Sequence, residues 1–344
     1  MRKPLQPIQE IAWTDKEYFD GWKKMKEDTS SAPGLSFSQI KCITEGTTSG
    51  QVLSQLAMTP LVLGITPEDW QEATEVLIPK KAADLRPGKL RTITQFSAQM
   101  NHNKKLIGKT MMQHAEKHGF LADEQYGSRK GKSAGLHAMN KRLVTDLMRI
   151  MKILGIYVVN NASGCYDRIL FLVAYLTMRH VGMTEEVAKF VISGLMDMTY
   201  SVRTSYGTSK TTYGPDEWIA EWGCLPHGIG QGAGDAPGMW AGVSSPLFEI
   251  MSDENFEFEF RSVITKTYLK LAGFGFVDDT DFLNFLKNTQ SSDTLLADTQ
   301  KGLSLWEGLL RTTGGAIDPT KSDWVWIEQK WKNGHWKYER KDET

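Results

Sequence analysis

The chain has 344 residues, 40% of them hydrophobic and 24% charged, with a formal net charge of −1. Those values exclude disorder, collagen and coiled coil, and the length suffices for two modest domains or one large lobed one. Near-neutrality, taken over the whole chain, speaks against a strongly basic nucleic-acid binder.

No run approaches the roughly 18 apolar residues of a membrane helix, and the start Met1-Arg2-Lys3-Pro4 has no apolar signal segment. An intracellular protein, cytoplasmic or nuclear and not secreted, is expected. Cys42, Cys165 and Cys224 are odd in number and widely spaced, which fits a reducing compartment and offers no zinc spacing.

In chain order, Trp13–Lys26 reads as a helix with Thr14 or Asp15 near its start, and 29–34 reads as a loop. Pro67-Glu68-Asp69-Trp70 looks like a helix start. Ala73–Pro79 and Leu90–Thr94 are β-like runs joined across Arg86-Pro87-Gly88, an extended hairpin. Ile153–Val159 is an apolar strand expected to stop at Asn160-Asn161. Helices follow over Leu170–Arg179 and from Thr184, where Val187, Phe190, Val191 and Leu195 recur at helical spacing. Thr199–Tyr213 alternates around Gly207 as a hairpin.

The glycine-rich loop Gly228–Gly238 leads into an apolar helix, Met239–Met251. Thr267–Phe276 and Phe282–Leu286 read as strands around a tight turn, Val277-Asp278-Asp279-Thr280. Leu295–Leu310 forms a helix ended by Gly314-Gly315. Trp324–Tyr338 reads as a hairpin around Asn333-Gly334. Helix and strand alternate irregularly, which favours an α+β fold.

Charge is unevenly placed. Lys80–Lys152 holds 16 Lys and Arg against 5 Asp and Glu, a net of +11, so the remainder carries −12. Such a block is where a polyanion would sit, or else a solvated basic surface.

The adjacent carboxylates Asp278 and Asp279, on the turn of an apolar hairpin, are costly unless a cation or water compensates them. A solvated turn is the plainer alternative. An EF-hand fails, because Leu283 and Asn284 stand where a ligand oxygen and Gly are needed. Gly228-Ile-Gly230-Gln-Gly232-Ala233 loosely matches a dinucleotide fingerprint, but Cys224-Leu225-Pro226-His227 precedes it in place of a buried strand. Gln231 among glycines better suits a flat surface for a base or nucleotide.

Six segments in this order resemble reverse transcriptases of retroelements, over about residues 70–325. Lys80–Ile93 is similar to the fingers hairpin, and His118–Arg129 to the fingers segment before the first palm motif. Asn161-Ala-Ser-Gly-Cys-Tyr-Asp-Arg-Ile169 resembles that first motif and His227–Phe248 the second. Phe276–Asp279 is similar to the aromatic-x-Asp-Asp box, and Gly314–Lys321 to the fourth palm motif.

The resemblance implies an α+β right-hand fold: residues 1–75 an N-terminal helical extension, 76–152 basic fingers, and 153–325 a palm with an antiparallel sheet backed by helices. Residues 326–344 are then a C-terminal hairpin and tail, with no room for a thumb. It implies template-directed DNA synthesis on an RNA or DNA template with a primer, from deoxynucleoside triphosphates. Two Mg2+ ions, or Mn2+, would serve the transfer.

By the same resemblance Asp278 and Asp279 are metal ligands and Lys321 a proton donor to pyrophosphate. Lys89, Arg91, Tyr166, Gln231 and Gly232 would meet the nucleotide, Tyr166 as the gate against a ribose 2′-hydroxyl. Asp167 would have a supporting role at a helix start.

One position departs. Where the first palm motif places an aspartate, this chain has Asn161, and Val159 cannot substitute for it. Asn offers one neutral carbonyl oxygen where the metals need an anionic ligand. Polymerase activity is therefore expected to be absent or severely reduced. The other reading is a non-catalytic nucleic-acid-binding or scaffold remnant of a retroelement polymerase. An RNA product is a third, against which Tyr166 argues.

Overall fold

The computed structural model describes residues 4–8, 13–32, 34–43, 45–81, 84–86, 89–223, 227–262, 264–286 and 291–338. It is α+β, as the sequence implies. Two compact units divide it, each built from separated stretches of chain. The first, here the glycine-loop unit, is Lys3–His118 with Tyr166–Met239. The second, the carboxylate unit, is Met1–Arg2, Gly119–Cys165 and Trp240–Thr344.

In the glycine-loop unit, α1 (Asp15–Lys23) opens on a capping box: the Thr14 side chain accepts the Glu17 N–H while the Glu17 carboxylate accepts from Thr14. Its buried face, Tyr18, Phe19 and Trp22, packs with Phe37 and Ile40 of α2 (Phe37–Lys41), Leu53 and Ala57 of α3 (Thr48–Leu63), and Ala98 and Leu106 of α4 (Ala98–Lys117). Helices α3 and α4 have no counterpart in the sequence reading. Pro60 inside α3 hides it from a propensity argument, yet Thr47 caps its start and Gly64, at φ 70°, ends it.

Glu68–Trp70 is a single 3₁₀ turn, not the helix start expected at Pro67, because the chain passes at once into β1 (Glu72–Pro79). Strand β1 pairs antiparallel with β2 (Leu90–Gln95), as expected. It also pairs in parallel with β4 (Thr199–Thr204), which forms the expected hairpin with β5 (Gly207–Tyr213). The sheet order is β2-β1-β4-β5. Pro87 and Gly88, expected to turn the first hairpin, and Cys224–Pro226, before the glycine loop, lie outside the described residues. Helices α6 (Phe171–His180), α7 (Glu185–Met196) and α8 (Pro215–Trp222) complete this unit.

The carboxylate unit is an antiparallel sheet in the order β10-β3-β9-β8, formed by Asp323–Ile327, Gly155–Asn161, Asp279–Phe285 and Gly273–Phe276 respectively. Alternation along the strands gives it two faces. On one, Phe282 meets Phe248 of α9 (Ala236–Asp253) and Trp306 of α10 (Ser292–Thr312), with ring centroids 5.0–6.5 Å apart. On the other, Phe274, Leu283 and Ile327 pack with Val144 and Met148 of α5 (Ala134–Met151) and with Phe258 and Phe260 of a small ribbon. That ribbon is β6 (Phe258–Arg261) paired with β7 (Tyr268–Leu271).

Four sequence expectations change here. Strand β3 runs through Asn160 and Asn161 instead of stopping before them, because the strand bearing Asp279 continues the ladder to its end. The run Thr267–Phe276 is two strands in two sheets, β7 and β8. Only β11 (Gln329–Lys332) and β12 (His335–Tyr338) form the C-terminal hairpin, while Trp324–Ile327 belongs to the main sheet. Asp167 lies in a turn ahead of α6, not inside its first turn.

Candidate functional site

The register of β3 against β9 sets Asn161 opposite Asp279, so both side chains leave the same face of the sheet at its end. Between β8 and β9 the chain reverses through Val277, whose φ of 58° is left-handed. A β-branched residue resists that conformation. Two side chains hold it. Gln125 Oε1 accepts the Val277 N–H at 3.1 Å and the Gly127 N–H at 2.8 Å, while its Nε2 donates to Ser244 Oγ at 3.1 Å. From α9, Trp240 Nε1 donates to the Val277 carbonyl. The carboxylates thus stand on a turn whose central peptide groups are both engaged.

Four residues named from the sequence meet there. Asn161 Nδ2 donates one hydrogen to Asp278 Oδ2 at 3.2 Å and the other to Asp279 Oδ1 at 2.9 Å. Lys321 Nζ donates to Asn161 Oδ1 at 3.1 Å and lies 3.2 Å from Asp318 Oδ2. The amide orientation follows from electrostatics: turned over, it would put its oxygen against two carboxylates and its NH₂ against an ammonium. Backbone bonds tie the same segments, Ala162 N–H to the Asp278 carbonyl and Asp318 N–H to the Asn161 carbonyl, both at 2.9 Å.

This donor set does not match a two-ion centre. An amide nitrogen carries no lone pair for a metal, and here it faces both carboxylates. Among the described residues no group of three or more His, Cys, Asp or Glu is arranged to hold a metal ion.

Two residues along β9, Asp281 is 2% exposed and bonds Tyr157 OH at 2.8 Å and the Lys141 ammonium. Burial, reinforced by Asp281, pushes the Tyr157 phenol well above its ordinary value. His137 packs among Tyr126, Phe274 and Phe276, and burial depresses its imidazole to about 4.

The remaining named residues, Lys89, Arg91, Tyr166, Gln231 and Gly232, belong to the glycine-loop unit. Lys89 and Arg91 are exposed at the start of β2. Thr94 N–H donates to the Gln231 carbonyl at 2.8 Å, and Ile229 N–H to the Tyr166 carbonyl at 2.8 Å. The loop therefore lies against both β2 and the 166–169 turn. Gly228, Gly230 and Gly232 all have positive φ, and a Cβ on Gly228 or Gly232 would come 2.6 Å from Asp167 O or 2.4 Å from Thr94 O. Desolvation raises the Asp167 carboxyl, as it does Glu75, which accepts from Tyr213 OH.

Gln125, Trp240 and Lys141 carry no role that the sequence alone signals. Gln125 and Trp240 lie inside segments already singled out, His118–Arg129 and His227–Phe248, but their bonds go to a backbone more than 35 residues away. Residue types at that distance carry no spacing signal.

No protein-family model matches the chain. No curated protein matches it either. Among solved structures, it is similar to apo telomerase from Candida tropicalis truncated from its C-terminal domain, at 12% identity and a TM-score of 0.48. The match covers 83% of this chain, which spans 57% of that one. Among the described residues no helix is long and apolar enough to cross a membrane.

Proposed function

We propose that the chain is a reverse-transcriptase-like protein of retroelement type, with residues 153–325 as its palm, that binds nucleic acid and is impaired in nucleotidyl transfer. One observation supports this above all. Asn161, Asp278, Asp279 and Lys321, drawn from three separate motifs of the resemblance, converge within hydrogen-bond distance at one end of an antiparallel sheet. Chance similarity of short motifs gives no reason for them to meet.

The reading assigns a primed RNA or DNA template as ligand. It gives Lys89 and Arg91 to the triphosphate, Arg91 through bidentate contact, and Tyr166, Gln231 and Gly232 to the sugar and base. Deoxynucleotides and Mg2+ or Mn2+ belong to the active form of the reaction, in which the ions would activate the primer hydroxyl and stabilise the leaving pyrophosphate. In the present site Asn161 holds the carboxylates through neutral N–H donors, and Lys321 spends its ammonium on Asn161 and Asp318. Neither group is free for the part the active reaction needs.

The test is primer extension on an RNA template by the full chain, beside duplex binding measured by fluorescence anisotropy. Binding with little or no extension is expected, and extension should rise in Asn161→Asp. Robust synthesis by the unaltered chain would refute the impairment, and absence of any duplex binding would refute the whole reading.

A further inference from the structure

We propose that Asn161 and Lys321 together take the place of a divalent cation between Asp278 and Asp279, so that this chain holds the turn, and engages nucleic acid, without a divalent ion there. The nucleic-acid clause rests on the function proposed above; the clause about the turn does not.

Asp278 is half-buried and Asp279 exposed, and two adjacent carboxylates repel each other unless water, positive charge or hydrogen-bond donors offset their charge. The chain supplies charge and donors from its own residues. The Asn161 amide gives one N–H to each carboxylate, and its oxygen takes the Lys321 ammonium, which polarises the amide towards the acids. Both amide hydrogens and the amide oxygen are therefore committed. Seating an ion with Asn161 as a ligand beside the two acids would require the amide to rotate, breaking three hydrogen bonds and turning its NH₂ onto the ammonium.

The frame is also fixed independently of any ion. Backbone bonds join the end of β3 to the Asp278 peptide on one side and to Asp318 on the other. Gln125 and Trp240 hold the turn from beneath.

The pattern extends along the strand. Asp281, the next acid on the same face of β9, could have served as a further oxygen ligand, but it is taken by Lys141 and Tyr157. On this face of β9, Asp279 is thus matched by a lysine through the Asn161 amide and Asp281 directly. A site built to receive Mg2+ would leave such oxygens open to water and phosphate.

The experiment is a Mn2+ titration followed by electron paramagnetic resonance, on the full chain and on Asp279→Asn, Asn161→Asp and the Asn161→Asp/Asp279→Asn pair. The native chain and Asp279→Asn should bind Mn2+ equally and weakly. Asn161→Asp should gain a site on the order of tenfold tighter, lost again in the pair. A native chain that binds Mn2+ tightly and loses it on Asp279→Asn would overturn the proposal. That comparison decides the matter even if Asn161→Asp fails to fold.

Duplex affinity of the native chain, at constant ionic strength, should be the same within about twofold in EDTA and in Mg2+. A fall on the order of tenfold in EDTA would overturn the nucleic-acid clause. If no duplex binds in either buffer, the polymerase-like reading fails, and the Mn2+ comparison still rules on the turn.

Discussion

Val277 takes a backbone conformation that its branched side chain disfavours by roughly 1–2 kcal/mol, and side chains from remote parts of the chain hold it there. Gln125 does most of this, since its amide satisfies two backbone N–H groups and reaches Ser244 as well. Gln125→Ala leaves those donors without a partner in a half-buried turn and is expected to destabilise the protein by about 3 kcal/mol. Urea unfolding measures it, and a loss under about 1 kcal/mol would mean the turn holds itself. The identity of Asn161 was readable from the sequence, as was the loss of a carboxylate. What the amide gives in return was not, because its partners stand 117, 118 and 160 residues away.

At the scale of elements, the glycine loop shows where local sequence suffices and where it does not. Gly228, Gly230 and Gly232 mark a loop from composition alone, but only their surroundings explain the residue type. Gly207 and Gly232 share nearly the same φ, 127° and 129°. Space distinguishes them: nothing lies within 4 Å of a Cβ at Gly207, whereas one at Gly232 would strike Thr94 O. Gly207→Ala should cost only the backbone strain, about 1 kcal/mol, and Gly232→Ala about 3 kcal/mol or a displaced loop. Thermal midpoints of the two variants make the comparison, and equal losses would leave strain as the whole cause.

The same contrast accounts for the rest of the fold. Period-2 and period-3.6 patterns located β1, β2, β3, β5, α6, α7 and α10. They could not reveal that β4 pairs in parallel with β1, nor that 268–276 changes sheets at Ala272, since pairing partners are chosen across long separations. Helices α3, α4 and α5 start at single capping residues, Thr47, Ser97 and Ser133, with no acidic residue in the first turn to mark them.

Over the whole molecule, each unit carries one buried imidazole. Burial lowers His102, stacked on Trp22 with Nε2 on the Tyr18 carbonyl, to about 3, and lowers His137 to about 4. A depressed histidine means that the unfolded chain binds the proton first. Stability is full above pH ~6.5 and declines as pH falls, levelling near 4 for His137 and near 3 for His102. Carboxyls raised by desolvation, Glu75, Asp167 and Asp235, oppose this, since the folded state takes up their protons first. His137→Phe should therefore reduce the slope of unfolding free energy between pH 6.5 and 4 by about one proton. An unchanged slope would show that this imidazole is charged in the folded state.

The interleaving of the two units also sets an order of assembly during synthesis. The glycine-loop unit has its last residue at Met239. Strand β3 of the other unit is by then long emerged from the ribosome, but its neighbours β9 and β10 do not begin until Asp279 and Asp323. For that interval an apolar strand, Gly155–Asn161, has neither ladder partner. The segment carrying Asn161 is consequently open to non-native pairing, and to chaperone binding, while the chain is still being made.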